Sequence, residues 1–234
     1  MKAVILAGGK GVRLRPLTYT IPKPLLPVGE RPILEEIVER LKPFGFRELI
    51  IAVGYRAELI ETYFRDGAQL GVRIDYVREA HALGTAGPLS LVRASFELPP
   101  DEPLLVMNGD ILTDLDMHAL FDHHRRGGHE LTVATREFRL QHPYGVVQTA
   151  GGRVTGIVEK PVEADIVSAG IYALQPSALD MVPPDRFFDM PDLVNGLLAA
   201  GRSVGAYHFT DDWLAIDRLE QLEDAARLLA ERHA

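Results

Sequence analysis

Cysteine is absent from the 234-residue chain, which excludes disulfide bonds, thiolate metal sites and a cysteine nucleophile. Long apolar runs are absent as well: none approaches the roughly 20 residues that span a bilayer, so we expect no membrane partner. The first apolar run leads into a glycine-rich loop rather than a cleavage site of small residues, so we expect no signal peptide. Together these absences favour a cytoplasmic protein.

Basic residues are in the minority, with 25 lysines and arginines against 33 aspartates and glutamates and a formal net charge of -8 at pH 7. Because non-specific nucleic-acid binding is driven by basic surfaces, we expect no nucleic-acid partner. The first 24 residues depart from this average, since they hold Lys10, Arg13, Arg15 and Lys23 and no acidic residue. A basic segment on an acidic protein predicts a small anionic ligand.

Strand and helix patterns alternate through the first half of the chain. Short apolar runs predict strands over residues 2–6, 48–53, 73–77 and 104–107. Apolar stripes of helical period predict helices over residues 33–41, 57–64 and 85–96. The alternation predicts an α/β fold with a mixed, mostly parallel sheet flanked by helices. Ligands of such sheets bind beyond the carboxyl ends of the strands, where the loops after Leu6 and Met107 lie.

Strand patterns dominate the second half. They predict strands over residues 131–135, 145–149, 153–159, 168–174 and 204–208. Helical patterns cover residues 190–199 and 219–232. His123 and His124 are expected on a polar helix face, without the carboxylates that a zinc site would add. Trp213 is expected to pack under the last helix.

The loop at residues 8–13 (GGKGVR) directly follows the first predicted strand. It is neither a Walker A loop nor a dinucleotide fingerprint, since no Gly-Lys-Ser/Thr sequence ends it and Leu14 stands where a third glycine would. A tight turn alone would also explain the glycines. Arg13 and Lys23 favour a phosphate site, because glycines let backbone N–H groups approach a triphosphate and fixed positive charges stabilise a departing pyrophosphate.

Asp110 follows the fourth predicted strand and allows two interpretations. It could cap a turn, or it could bind Mg²⁺, a hard cation that takes few carboxylates and completes its shell with phosphate oxygens and water. From the residues alone, Glu159-Lys160 is typical of a solvated strand edge. Gly84 and Gly87 are typical of a helix-entry turn.

The segment GGKGVRLRPLTYTIPKPLLPVGERPIL (residues 8–34) resembles the N-terminal signature of the sugar-phosphate nucleotidyltransferases, or NDP-sugar pyrophosphorylases. The resemblance continues over nearly the whole chain, through LGTAG (83–87), NGD (108–110), YGVV (144–147), EKP (159–161) and AGIY (169–172). Within that family the chain is similar to the short form of the mannose-1-phosphate guanylyltransferases.

The resemblance implies a Rossmann-like fold with a small β-rich sugar-binding subdomain. It implies a single nucleotidyltransferase domain over residues 1–234. Within it, a nucleotide-binding half covers about 1–130, a sugar-binding half covers about 131–215 and a C-terminal helix covers 216–234.

The implied reaction is a Mg²⁺-dependent transfer of a nucleotidyl group from a nucleoside triphosphate to a sugar 1-phosphate, which yields an NDP-sugar and pyrophosphate. The resemblance favours GTP, with UTP and dTTP as alternatives, and is compatible with a monomer or a homodimer. Two other functions stay open: a cytidylyltransferase for a non-sugar phosphate, and a non-catalytic nucleotide-binding regulatory relative.

The resemblance also implies roles for individual residues. The implied catalytic residues are Arg13, Lys23, Asp110 and Lys160. The implied nucleotide-binding residues are Leu6, Ala7, Gly8, Gly9, Gly11, Arg13, Lys23, Glu79, Gly84, Thr85, Asn108 and Gly109. The implied sugar-phosphate-binding residues are Gly145, Glu159, Lys160, Ser168 and Gly170, and the implied metal ligands are Asp110 and Asp217.

The sequence departs from the family pattern at two of these places. Ser168 stands where the family usually has an asparagine. Ala215 stands where many relatives carry the second metal-binding aspartate, and Asp217 follows two residues later. Since positions i and i+2 of an extended segment face the same side, Asp217 could reach the same metal. Alternatively, Asp217 could cap the last helix.

Overall fold

The computed structural model describes the backbone of residues 1–233 and the side chains of residues 1–229. The strands are β1 (Lys2–Ala7), β2 (Pro27–Val28), β3 (Arg31–Pro32), β4 (Glu48–Val53), β5 (Arg73–Arg78), β6 (Leu104–Asn108), β7 (Ile111–Thr113), β8 (Leu131–Gln141), β9 (Val146–Ala150), β10 (Arg153–Val158), β11 (Val162–Leu174), β12 (Val204–His208) and β13 (Trp213–Ala215). The helices are α1 (Ile33–Leu41), α2 (Ala57–Phe64), α3 (Pro88–Ser95), α4 (Met117–Gly127), α5 (Met190–Ala199) and α6 (Leu219–His233).

The central sheet has the strand order β12-β8-β11-β6-β1-β4-β5. Strands β6, β1, β4 and β5 run parallel to one another, and β12 runs parallel to β8. Strand β11 is antiparallel to both β6 and β8. The predicted fold class, an α/β fold with a mixed and mostly parallel sheet, is therefore confirmed.

Both faces of the sheet are buried, which explains why the strands near its centre are continuous apolar runs. Val4 and Ile5 illustrate the alternation along β1, because they belong to two different core clusters on the two faces. Helices α1 and α4 cover the face of Ile5, and α3 and α5 cover the face of Val4. Among the residues that the structure describes, no helix is long and apolar enough to cross a membrane.

Strands β8 and β11 are longer than predicted. Their pairing continues to Gln141 and Val162, beyond the central sheet, and residues 136–141 and 162–166 are mostly exposed. Strands β9 and β10 form a separate hairpin between them. We call residues 136–167 the β-arm. It lies within the predicted sugar-binding half, about 131–215, which stays a prediction; the length of its strands escaped prediction because they bury no continuous apolar face.

Helix α3 starts three residues later than predicted. Residues 84–87 form turns instead, because the backbone N–H groups of Ala86 and Gly87 donate to the carbonyl oxygen of Phe188 rather than to a helical partner. Gly84 adopts a φ of 81°, a left-handed conformation that an α-helix does not contain. The loop of residues 83–87 is thus tied to the segment that precedes α5.

The expectation for His124 is wrong. His124 is 0% exposed, because α4 turns this side chain toward β8, where its Nδ1 atom lies 2.9 Å from Thr132 Oγ1. Its Nε2 atom is buried and has no hydrogen-bond partner among the described residues. Burial lowers the pKa of His124 from 6.5 to about 4, because desolvation disfavours the charged ring and the nearby His129 and Arg125 act in the same direction.

The buried His124 makes stability depend on pH. Because its folded pKa lies below its unfolded value of 6.5, the stabilisation is fully present above pH 6.5 and is lost as the pH falls toward about 4. We expect the free energy of unfolding to drop by on the order of 3 kcal/mol over this window. Urea unfolding at a series of pH values measures it.

The control for this prediction is the exposed His118 on the same helix. His124→Asn removes the titrating group, so its stability should vary less with pH than that of the wild type. His118→Asn should leave the wild-type slope unchanged. Parallel curves for His124→Asn and the wild type would contradict this account.

Candidate active site

The sheet brings the glycine-rich loop and the Asn108-Gly109-Asp110 turn together. Strands β1 and β6 pair in parallel with Leu6 opposite Asn108, so their carboxyl ends meet at the same edge. The Gly109 N–H group donates to the Leu6 carbonyl oxygen at 2.8 Å. A Cβ atom at Gly109 would lie 2.9 Å from that same oxygen, so a glycine is needed for this approach.

A cavity of about 610 Å³ opens at this edge of the sheet. Its lining includes twelve predicted site residues from distant segments: Leu6, Gly8, Gly9, Arg13, Glu79, Gly84, Thr85, Asn108, Asp110, Ser168, Gly170 and Asp217. A smaller lobe of about 240 Å³ shares part of this wall and adds four more predicted residues: Ala7, Gly11, Lys23 and Gly109. Most of the predicted site is therefore gathered in one place.

Four charged side chains meet where the two lobes join. The Lys23 ammonium lies 2.5 Å from Asp110 Oδ2 and 2.9 Å from Asp217 Oδ1. Arg13 Nη1 lies 3.1 Å from the other oxygen of Asp217. The Lys23 side chain is 11% exposed, whereas the Arg13 side chain is 64% exposed. One ammonium thus bridges two carboxylates that stand 107 positions apart in the sequence.

Strand pairing fixes the position of Asp217. Strand β13 is antiparallel to β7 with Ala215 opposite Ile111, and the Ile216 N–H group donates to the Asp110 carbonyl oxygen at 2.9 Å. The next residue, Asp217, therefore lies beside the turn that carries Asp110. Ala215 and Asp217 both line the larger cavity, as expected for positions i and i+2 of an extended segment.

The Asp217 carboxylate is not the cap of the last helix. The side-chain oxygen of Gln221 accepts from the N–H groups of Asp217 and Arg218, at 2.7 and 2.9 Å, and so occupies the start of α6. The Asp217 carboxylate is directed to Lys23 and Arg13 instead. A metal ligand at Asp217 must have its carboxylate on the side of Asp110 rather than at the helix start, and the observed side chain is placed in this way. The metal-ligand role itself stays a prediction.

The donor set suits a magnesium ion bound together with a substrate. Mg²⁺ is typically held by one or two carboxylates, with phosphate oxygens and water completing its shell. Asp110 and Asp217 already share one cationic group, so they are close enough to contact a single cation. Among the described residues, no group of three or more histidine, cysteine, aspartate or glutamate side chains could hold a metal ion. A magnesium ion at Asp110 and Asp217 would therefore need phosphate oxygens and water to complete its shell.

Glu79 follows β5 and Asp110 follows β6, so the two lie at strand ends that are three strands apart in the sheet, and both line the cavity. Its carboxyl group approaches the glycine loop so closely that a Cβ atom at Gly8 would lie 1.9 Å from Glu79 Oε1. Glu79 Oε2 accepts a hydrogen bond of 3.0 Å from the Leu83 N–H group. Burial raises the pKa of the Glu79 carboxyl group above its usual value, because desolvation disfavours the charged form.

Sequence reasoning did not assign a role to Asp189. Its Oδ1 atom accepts from the N–H group and the hydroxyl group of Thr85, at 2.8 and 3.0 Å, and so fixes the loop of residues 83–87. It also forms a capping box with Asp192 at the start of α5. The Asp-x-x-Asp spacing before an apolar helix was a local signal of this cap, but the contact with Thr85 spans 104 positions.

The far wall of the cavity carries Ser168, Tyr172 and Trp213. The Ser168 and Tyr172 hydroxyl oxygens are 3.0 Å apart, and Trp213 Nε1 donates to the Ala169 carbonyl oxygen at 2.9 Å. Trp213 therefore lines the cavity, which the sequence did not indicate, and it also packs against the core cluster that includes Leu222 and Ala225 of the last helix, as expected. Burial raises the pKa of the Tyr172 hydroxyl, which stays protonated and able to donate.

Three predicted residues lie elsewhere. Gly145, Glu159 and Lys160 belong to the β-arm and do not line either lobe of the cavity. Glu159 and Lys160 are exposed, and Lys160 has a φ of 44°. Their implied contacts with a sugar phosphate stay predictions, because these three residues do not line the cavity in the observed position of the β-arm.

The nucleotidyl transferase family model matches residues 2–232. The chain belongs to this family. A UTP–glucose-1-phosphate uridylyltransferase from Synechocystis sp. is 36% identical over 97% of this chain and 63% of its own length. The catalytic subunit beta of a mannose-1-phosphate guanylyltransferase from Danio rerio is 42% identical over 76% of this chain and 51% of its own length. The chain thus spans half to two thirds of these relatives.

Solved structures share the fold. The crystal structure of HddC from Yersinia pseudotuberculosis, complexed with GMP-PN, aligns with a TM-score of 0.76 and covers 97% of this chain and 99% of that chain. At 24% sequence identity this likeness concerns the fold alone. It confirms the predicted Rossmann-like arrangement.

Proposed function

We propose that the protein transfers a nucleotidyl group from a nucleoside triphosphate to a sugar 1-phosphate and releases pyrophosphate, with Mg²⁺ as the cofactor. The observation that carries this proposal is the bridge of Asp110, Lys23 and Asp217 beside the glycine-rich loop, at the junction of the two lobes. The family membership and the names of the relatives support the same reaction class.

In this reaction an oxygen of the sugar 1-phosphate attacks the α-phosphorus in line. A new P–O bond forms as the bond between the α-phosphorus and its bridging oxygen breaks, and the electron pair leaves with pyrophosphate. No protein nucleophile is needed, because the attacking phosphate is already ionised. Bound Mg²⁺ would neutralise charge on the phosphate oxygens and would be held by Asp110 and Asp217.

The residues of the smaller lobe stabilise the leaving group. Gly9 and Gly11 leave the backbone open to phosphate oxygens, and the exposed guanidinium of Arg13 faces the same lobe. Fixed positive charge at this place favours the departing pyrophosphate over the intact triphosphate. The larger cavity then has room for the nucleoside toward Glu79 and for the sugar toward Ser168 and Tyr172.

Glu79 supports GTP as the preferred substrate. A carboxylate only accepts hydrogen bonds, and it accepts best from two neighbouring donors. Guanine presents two such donors, N1–H and the N2 amino group, on one edge. Uracil and thymine present a single N–H between two carbonyl oxygens, which a carboxylate repels. UTP and dTTP are the alternatives that the assay below separates from GTP.

The proposed function is tested by pyrophosphate release. Five nucleoside triphosphates are combined with a panel of hexose, amino-sugar and heptose 1-phosphates and with phosphocholine, in Mg²⁺ and in EDTA. We expect turnover that needs Mg²⁺ and is fastest with GTP and a sugar 1-phosphate. Turnover with CTP and phosphocholine alone would favour the cytidylyltransferase, and absence of turnover with every pair would leave a nucleotide-binding relative without catalysis.

The role of Asp217 predicts a loss and a rescue. Asp217→Ala should reduce turnover by on the order of 100-fold, because one of the two carboxylates is removed. Adding Ala215→Asp should restore part of the rate, since residue 215 lines the same cavity. The exposed Asp211 is the matched control, and Asp211→Ala should have no effect. Wild-type turnover in Asp217→Ala, with an unchanged Mg²⁺ requirement, would contradict the assignment.

The role of Glu79 predicts a change in base preference. Glu79→Gln replaces one acceptor oxygen by an amino donor, so kcat/KM for GTP should fall by about 10- to 100-fold while that for UTP holds or rises. The exposed Glu102 provides the control variant, Glu102→Gln. Because the Glu79 pKa is raised, the preference of the wild type for GTP should weaken as the pH falls. Equal losses with all triphosphates would count against base recognition by Glu79.

A further inference from the structure

The Lys23 ammonium occupies the space between the two carboxylates to which the proposed function assigns the metal. Both contacts are short, at 2.5 and 2.9 Å, and the side chain is 11% exposed. Charge interactions are stronger in such a sheltered place than in bulk water. With Arg13 on the second oxygen of Asp217, the two negative charges are balanced by two positive charges. The cluster therefore presents no excess negative charge to a free metal ion.

The backbone at Lys23 is held in place, so movement is confined to the side chain. Pro22 and Pro24 flank the residue, and the Leu25 and Leu26 N–H groups close a 3₁₀ turn on the carbonyl oxygens of Pro22 and Lys23. A Cβ atom at Gly11 would lie 3.1 Å from Lys23 Cβ, so the glycine loop packs directly on the start of this side chain. The flexible stem beyond Cβ can turn toward that loop.

We propose that Lys23 is the resting counter-ion of Asp110 and Asp217, and that a divalent metal must displace its ammonium group to enter. This inference rests on the proposed function, since it takes these carboxylates as the metal site. An ammonium and a metal ion repel each other and compete for the same two oxygens. Once displaced, the ammonium faces the lobe lined by Gly9, Gly11 and Arg13, where a triphosphate offers it a new anionic partner.

The consequence is that metal and triphosphate bind together. A metal ion alone must break two ion pairs of Lys23 and leave the ammonium without a partner, which is costly in a partly buried place. A metal ion that arrives with a triphosphate supplies the replacement partner. The metal-free and nucleotide-free protein should therefore bind a divalent ion weakly, and Lys23 should be the cause.

The test measures Mn²⁺ binding to the full chain without nucleotide, by electron paramagnetic resonance. Lys23→Met removes the competing ammonium, so Mn²⁺ should bind at least about tenfold more tightly than to the wild type. Lys10→Met is the matched control, because Lys10 is exposed and lines neither lobe of the cavity. It should bind Mn²⁺ as weakly as the wild type, and so should the charge-retaining Lys23→Arg.

The gain must depend on the two carboxylates. Adding Asp110→Asn or Asp217→Asn to Lys23→Met should abolish the tighter binding. Equal Mn²⁺ affinities of Lys23→Met and Lys10→Met would overturn the inference, and so would a gain that survives both aspartate replacements.

A measurement on the wild type does not depend on the folding of any Lys23 variant. The ammonium resonance of a lysine held by two carboxylates exchanges slowly and is visible by NMR; it should disappear or shift when saturating Mg²⁺ is added. An unchanged resonance would overturn the displacement. Turnover is measured separately: no turnover of the wild type combined with tight Mn²⁺ binding to Lys23→Met would overturn the proposed transfer and support the displacement.

Discussion

The ion cluster of Asp110, Lys23 and Asp217 is the interaction on which the account of this protein depends. It exists because two strand pairings bring separate segments to one sheet edge. The parallel pairing of β1 with β6 sets the glycine loop beside Asp110, and the antiparallel pairing of β7 with β13 sets Asp217 beside both. The fold thus assembles an ion cluster from side chains that share no local motif, and Gly109 lets the backbone of the Asp110 turn approach β1.

The cluster also explains how the chain accommodates alanine at position 215. The family resemblance implies an aspartate at that position as the second metal ligand, and this chain carries Asp217 two residues later, lining the same cavity. At the start of α6, which Asp217 could have capped, the side-chain oxygen of Gln221 accepts the backbone hydrogen bonds instead. The carboxylate is therefore free to face Lys23 and Arg13.

The features that could be predicted from the sequence are those that depend on strand burial and on the periodic spacing of apolar residues. The runs at residues 2–6 and 104–107 are apolar on both faces, so their place in a covered parallel sheet was predictable, and the same-side rule directed attention to Asp217. The length of the β-arm was not predictable, because Phe138 and its neighbours on those strands are exposed. The burial of His124 depends on packing against β8, and the position of Trp213 depends on contact with Ala169 of β11; the local pattern of polarity records neither contact.

The most direct test of the central claim is diffraction from crystals that contain Mn²⁺ and a non-hydrolysable nucleoside triphosphate, with the ion located by its anomalous scattering. We predict one ion directly coordinated by carboxylate oxygens of both Asp110 and Asp217, at about 2 Å, with the Lys23 ammonium moved toward the phosphates. An ion bound by Asp110 alone, with Asp217 still paired to Arg13 and Lys23, would contradict the shared site.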